Sequence, residues 1–181
     1  MNALFPFLWT LGWAALSQVL LFRFGTFWGG YGLLAIHVYG LLKMPVGWPP
    51  TTYLMLAAVS GAVMDVVCFT GGMHLAASVT LGMAYPALTV ALESRDGLRQ
   101  GHVMDPYQDG WGRYAAFAAM AVGIYWAVLF GLQNGWTLMG RTVGQTLTST
   151  LLNVGVFLLI QGLLNRPRRG DPRNVSAYPW S

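Results

Sequence analysis

The sequence predicts an all-α integral membrane protein with six transmembrane helices, and three observations carry that reading. Apolar residues make up 55% of the 181 positions and charged residues only 9%, against about 25% charged in an ordinary soluble domain. So few charges cannot cover a water-soluble surface of this size. The apolar residues fall into runs close to the roughly 20 residues that a helix needs to cross a bilayer. The basic residues stand at the ends of those runs and form no patch, so the formal charge of +4 does not point to nucleic acid.

Leu4 to Phe22 reads as the first span, with Pro6 in its first turn, where the missing N–H matters least, and Arg23 closing it. No basic leader and no A-x-A-like site precede Arg23, so this segment is expected to stay as a membrane helix. A Gly- and Trp-bearing connection, Phe24 to Gly30, leads to Tyr31–Met44; counted from Thr26, this run is long enough to be a second span. Lys43 and the turn Pro45-Val46-Gly47-Trp48-Pro49-Pro50 end it, because consecutive prolines cannot continue a helix. Pro45 and Gly47 are its structural turn residues. Thr51–Phe69 and Met73–Leu92 read as spans three and four, with Pro86 a kink site in the latter.

Glu93 to Gly112 is the one long polar loop and holds Glu93, Asp96, Asp105 and Asp109. Arg113–Gln133 and Thr142–Leu164 read as spans five and six, so the six-helix domain covers residues 1–165. The tail, 166–181, is basic and rich in Arg and Pro, and is expected to be disordered in isolation. With six spans, Lys43, Arg95, Arg99, Arg113, Arg166, Arg168, Arg169 and Arg173 share one side, while Arg23 and Arg141 take the other. The positive-inside rule then puts both termini in the cytoplasm. Trp28, Trp48, Trp111 and Trp136 at span ends are ordinary interfacial anchors.

The hairpin Leu54–Tyr85 carries the chemistry. Asp65 is the only acid before Glu93, and a carboxylate inside a spanning helix costs roughly 2.5–3.5 kcal/mol on insertion scales. Small residues flank it: Ala57, Ala58, Ser60, Gly61 and Ala62 before it, Ala76, Ala77, Ser78 and Gly82 after the Thr70-Gly71-Gly72 turn. Such residues let helix backbones approach closely within a membrane. Asp65 admits two readings, a structural carboxylate bonded to a neighbouring helix or a contact for a partner, ion or substrate. His74 opens span four and is open to the same two. His37 reads as a core histidine hydrogen-bonded to a neighbouring helix. His102, Asp105 and Asp109 read as a solvated loop in preference to a metal site. Gln145, Asn153 and Gln161 read as polar groups holding helices together.

Catalytic patterns are missing from the sequence. Ser60-Gly61 lacks the flanking glycine of a nucleophile elbow, and there is no H-E-x-x-H, P-loop or G-x-G-x-x-G fingerprint. The lone Cys68 excludes an intramolecular disulfide and a zinc cluster, and no cofactor is expected.

The run Leu41-Leu42-Lys43-Met44-Pro45-Val46-Gly47, then Gly61-x-x-x-Asp65 and Gly71-Gly72-Met73-His74-x-Ala76-Ala77, resembles the rod shape-determining MreD family, its Bacteroidetes-type members most closely. The match covers about Tyr31 to Leu164, although the loop Glu93–Gly112 is long for the family. The resemblance implies a non-enzymatic component of the bacterial inner membrane that helps to organise peptidoglycan synthesis during cell elongation. It implies contacts with MreC and, through it, MreB, RodA and a penicillin-binding transpeptidase. It also implies a compact bundle of six transmembrane helices, similar in fold to the substrate-binding subunits of energy-coupling-factor transporters, with a recess on the outer face near the span-three/span-four hairpin. Asp65, His74, Gly61, Gly71, Gly72 and Met73 are the candidate partner or recess residues. The competing function is a small-molecule-binding, vitamin-type transporter subunit.

Overall fold

The computed structural model describes residues 4–22, 26–27, 30–92, 101–135 and 137–164. The chain runs α1 (Leu4–Phe22), β1 (Thr26–Phe27), β2 (Gly32–Leu33), α2 (Ile36–Leu42), α3 (Pro50–Cys68), α4 (Met73–Ala91), α5 (Pro106–Asp109), α6 (Trp111–Asn134) and α7 (Met139–Leu164). The tail 166–181 and residues 93–100 of the polar loop lie outside the described residues.

Helices α3, α4, α6 and α7 are each long and apolar enough to cross a bilayer, and the chain is a multi-pass membrane protein. The 19 residues of α3 rise by about 28 Å at ~1.5 Å each, close to the ~30 Å of a hydrocarbon core. Helix α4 packs against both α3 and α6, and α6 also carries α7. The buried face of α6 repeats at helical spacing through Tyr114, Phe117, Ala121, Tyr125 and Leu129. Facing outward are apolar stripes at the same spacing: Met55, Val59, Val63 and Val66 on α3, and Val143, Leu147 and Leu151 on α7. In water such stripes would be a liability; in a bilayer they are the ordinary outer surface.

One expected element is different. The second span, read over Tyr31–Met44, is helical only over the seven residues of α2. At ~1.5 Å per residue that is about 10 Å, far short of a crossing. Ahead of it, β1 and β2 form a two-stranded antiparallel ribbon pairing Thr26 with Leu33 and Phe27 with Gly32. The glycines at positions 29, 30 and 32 disfavour helix there. Neighbouring helices supply the hydrogen bonds that a helix would have made internally. Asn153 of α7 accepts from the Ala35 N–H (2.8 Å) and donates to the Leu33 carbonyl (2.7 Å). Ser149 accepts from the Leu33 N–H (3.0 Å), and Gln145 donates to the Gly30 carbonyl (3.0 Å). Gln18 of α1 donates to the Leu34 carbonyl (2.9 Å) and accepts from the Ile36 N–H. Irregular backbone at membrane depth survives only where protein satisfies it in this way. Asn153 and Gln145 thus bond a broken segment to α7; Gln161 donates to the Tyr114 hydroxyl (3.2 Å) and joins α7 to α6.

At the far end of α2 the proline turn is fixed by two tyrosines. Tyr53 donates to the Pro45 carbonyl (2.8 Å) and accepts from the Trp48 N–H (3.0 Å), while Tyr85 donates to the Met44 carbonyl (2.6 Å). Gly47 takes φ +85°, a conformation L side chains rarely adopt. Val46 then pairs, backbone to backbone, with Gly101 and His102 of the polar loop. There His102 binds the Asp109 carboxylate (2.8 Å), which also accepts from the Asp105 N–H (2.8 Å), while Asp105 caps α5 through the Tyr107 N–H (2.8 Å). These half-exposed residues form a hydrogen-bonded turn at the surface. Lys43, in the turn after α2, has its ammonium 5.5 Å from the Tyr39 ring centroid and 5.9 Å from that of Tyr114. Burial pulls its pKa down to about 8, against an upward pull from Asp105.

Candidate functional site

The α3–α4 hairpin is built by a carboxylate acting across the turn. A helix N-terminus leaves its first N–H groups without internal partners, and α4 begins at Gly72, which has no side chain to cap them. Asp65, a turn before the end of α3, does so instead. Its Oδ1 accepts from the His74 N–H (3.0 Å) and the Thr70 hydroxyl, and its Oδ2 accepts from the Leu75 N–H (2.8 Å). The positive end of the α4 dipole favours the negative charge at that point. Asp65 is half-buried. Its geometry is that of a structural carboxylate.

The glycines make this reach possible. A Cβ on Gly61 would lie 2.6 Å from the Leu75 Cα and 2.7 Å from the His74 carbonyl oxygen, so only glycine lets α4 start this close to α3. Gly82 repeats the close approach lower down, 2.8 Å from the Ala57 Cβ. Between the helices Phe69 (φ 54°), Gly71 (φ 61°) and Gly72 (φ 98°) are all left-handed. That path suits glycine and explains the pair at the turn.

Behind the turn lies a polar cluster. The imidazole Nδ1 of His74 pairs with the Tyr125 hydroxyl of α6. The His37 ring of α2 stands edge-on to both, 5.7 Å from His74 and 5.3 Å from Tyr125 between centroids. His37 is fully buried, and neither of its ring nitrogens has a hydrogen-bond partner among the described residues. This corrects the expectation that it bonds a neighbouring helix; the contacts around it are ring faces and edges.

The same turn walls a cavity of about 370 Å³. Leu33–Ala35 of the broken segment and Gln18 of α1 form one side, Cys68–Thr70 with Met73 and His74 the second, and Trp126, Leu129 and Gln133 of α6 the third. No protein-family model, curated protein or solved structure matches this chain. Among the described lining residues none is Asp, Glu, Lys or Arg, and the polar groups are amides, a hydroxyl, a thiol, an imidazole and an indole. The described residues contain no group of three His, Cys, Asp or Glu placed to hold a metal ion.

Of the residues singled out from sequence, Gly61, Asp65, Gly71, Gly72, Met73 and His74 come together at this turn, whereas Pro45 and Gly47 belong to the opposite end of α3. Sequence reasoning missed Tyr125, Trp126 and Gln18. Gln18 had a signal, since an amide in an apolar span needs a partner; aromatic residues on a buried helix face gave none.

Proposed function

We propose that this chain is a non-enzymatic component of the bacterial cell-elongation complex, a relative of the MreD proteins, acting through MreC and so through MreB, RodA and a penicillin-binding transpeptidase. The observation that carries the reading is what the MreD-like motif does here. Gly61 permits the helix contact, Asp65 caps α4, Gly71 and Gly72 make the turn, and the His74 ring binds Tyr125. Both carboxylate oxygens of Asp65 accept hydrogen bonds from the turn, a use that fits an anchor. A motif so used builds a rigid surface, as a scaffold requires.

Under this reading the chain lies in the inner membrane with both termini cytoplasmic and crosses six times, the second time through the broken segment. Its fold is then akin to that of energy-coupling-factor substrate-binding subunits. The test is affinity purification of the tagged chain from membranes of the bacterium that encodes it. MreC is expected in the eluate, and depletion of the chain is expected to round the cells. An eluate without MreC, from cells that stay rod-shaped on depletion, rejects the proposal.

The cavity favours a second reading, a small-molecule-binding transporter subunit. Loss of the chain would then abolish uptake of one solute and leave cell shape intact.

A further inference from the structure

We propose that His37 is an acid-sensitive latch: while neutral it packs α2 against α4 and α6, and taking up a proton releases α2 from them. His37 is fully buried, and its ring stands edge-on to His74 of α4 and Tyr125 of α6. Neither ring nitrogen has a hydrogen-bond partner among the described residues, so an imidazolium there would have no acceptor for either N–H. A buried charge without a partner is far costlier than a buried neutral group. The closed packing has no place for one.

The groups around it do not supply the missing counter-charge. Helix α1 carries no ionisable residue. On α3, Asp65 acts on His37 through space, but its oxygens already accept from Thr70, His74 and Leu75; Cys68, a turn further on, is neutral as a thiol. Helix α7 carries only Arg141, exposed and about 18 Å along the helix from Asn153. On α2 itself Tyr39 faces Phe157 and Lys43 closes the helix. His74 differs from His37. It lines the cavity and pairs through Nδ1 with the Tyr125 hydroxyl, so a protonated His74 keeps that bond by donating to the phenol oxygen. A charge there repels one on His37, 5.7 Å away between ring centroids.

Helix α2 is also the element free to move. It has seven residues, and side chains hold its ends: Gln18 and Asn153 at one, Tyr85 at the other. Short elements tied by few bonds open locally at less cost than global unfolding. In the opened form His37 meets water and takes up a proton at about pH 6.5, the ordinary histidine value. Because only that form accepts the proton, acid populates it. The latch depends on neither reading of function given above.

The test is amide hydrogen exchange over α2, read by mass spectrometry on the full chain in detergent micelles. His37→Gln and His37→Leu, neither of which titrates, are the references, and the second serves where the first does not fold. Dividing the exchange rate of the unmodified chain by that of a reference at the same pH cancels the chemistry of exchange itself. From about pH 7.5 to about pH 5.5 this ratio should rise about tenfold, the gain in opened population for one proton taken up at about pH 6.5. Over α7 the ratio should stay constant, and a His74→Gln chain should keep the rise over α2. A ratio over α2 that is flat across this range overturns the proposal. So does an equal rise over α7, which would be global acid unfolding, and so does loss of the rise in His74→Gln, which would assign the titration to His74.

Discussion

Replacing Asp65 tests the cross-turn cap most directly. In Asp65→Ala the His74 and Leu75 N–H groups and the Thr70 hydroxyl all lose their acceptor. Loss of a capping side chain costs about 0.5–2 kcal/mol, and hydrogen bonds to a charged group contribute about 1.5–3 kcal/mol each when shielded. Asp65 is only half-buried, so water recovers part of that loss, and removing the charge refunds some desolvation; a net cost of about 2 kcal/mol is expected. Asp65→Asn keeps one oxygen and sets its amide group against a donor, and should cost about half as much. Thr70→Val should be non-additive with Asp65→Ala, since the two share a bond. The assay is thermal unfolding in micelles with the full double-mutant cycle. Asp65→Ala unfolding at the unmodified midpoint, or strict additivity with Thr70→Val, would refute the cap.

Other consequences follow from the same geometry. Gly61→Ala must displace α4 backbone 2.6 Å away and should cost about 1–3 kcal/mol; Gly155→Ala on α7, with nothing within 4 Å, should stabilise by up to about 1 kcal/mol through helix propensity, both read by thermal unfolding. Asn153→Leu strips an acceptor from the Ala35 N–H and a donor from the Leu33 carbonyl, and should cost about 2–4 kcal/mol and raise amide hydrogen exchange at Ala35. His37→Leu removes two buried nitrogens without a partner among the described residues and should be neutral or stabilising by about 1 kcal/mol, with the unfolding midpoint as readout. Burial holds the folded pKa of Lys43 down at about 8, below the ordinary lysine value of about 10.4. The unfolded chain therefore binds more protons between those values, and stability should rise with pH through that window. Lys43→Met should flatten the rise, seen in midpoints measured from pH 7 to 10.

The long apolar helices were legible because length and hydropathy alone decide them, and the hairpin turn because glycines mark left-handed backbone. The role of Asp65 was half legible. A costly charge near a helix end implied compensation, but nothing in the spacing said that the donors would be the next helix's own N–H groups. The broken second segment was misread because composition cannot separate an apolar helix from apolar backbone satisfied elsewhere. The clue lay far away in sequence, in Gln18, Gln145, Ser149 and Asn153, whose polar side chains all bond backbone of Gly30–Ala35. The cavity was not legible as a shape, since its three walls come from positions separated by up to 115 residues along the chain, Gln18 to Gln133.

The cap and the cavity are two consequences of one constraint. The cavity lies between two non-helical pieces of chain, Leu33–Ala35 and Phe69–Thr70. Each is held by a polar side chain from a helix: Gln18 and Asn153 bond the first, and Asp65 bonds Thr70 and the start of α4 beyond it. A bilayer tolerates non-helical backbone only where protein meets its polar groups, and two such pieces facing each other cannot close as tightly as two helices do. The gap they leave is the cavity. Disturbing Asp65 should therefore alter Cys68 alkylation as well as unfolding, because Met73 and His74, positioned by the cap, are part of the same wall.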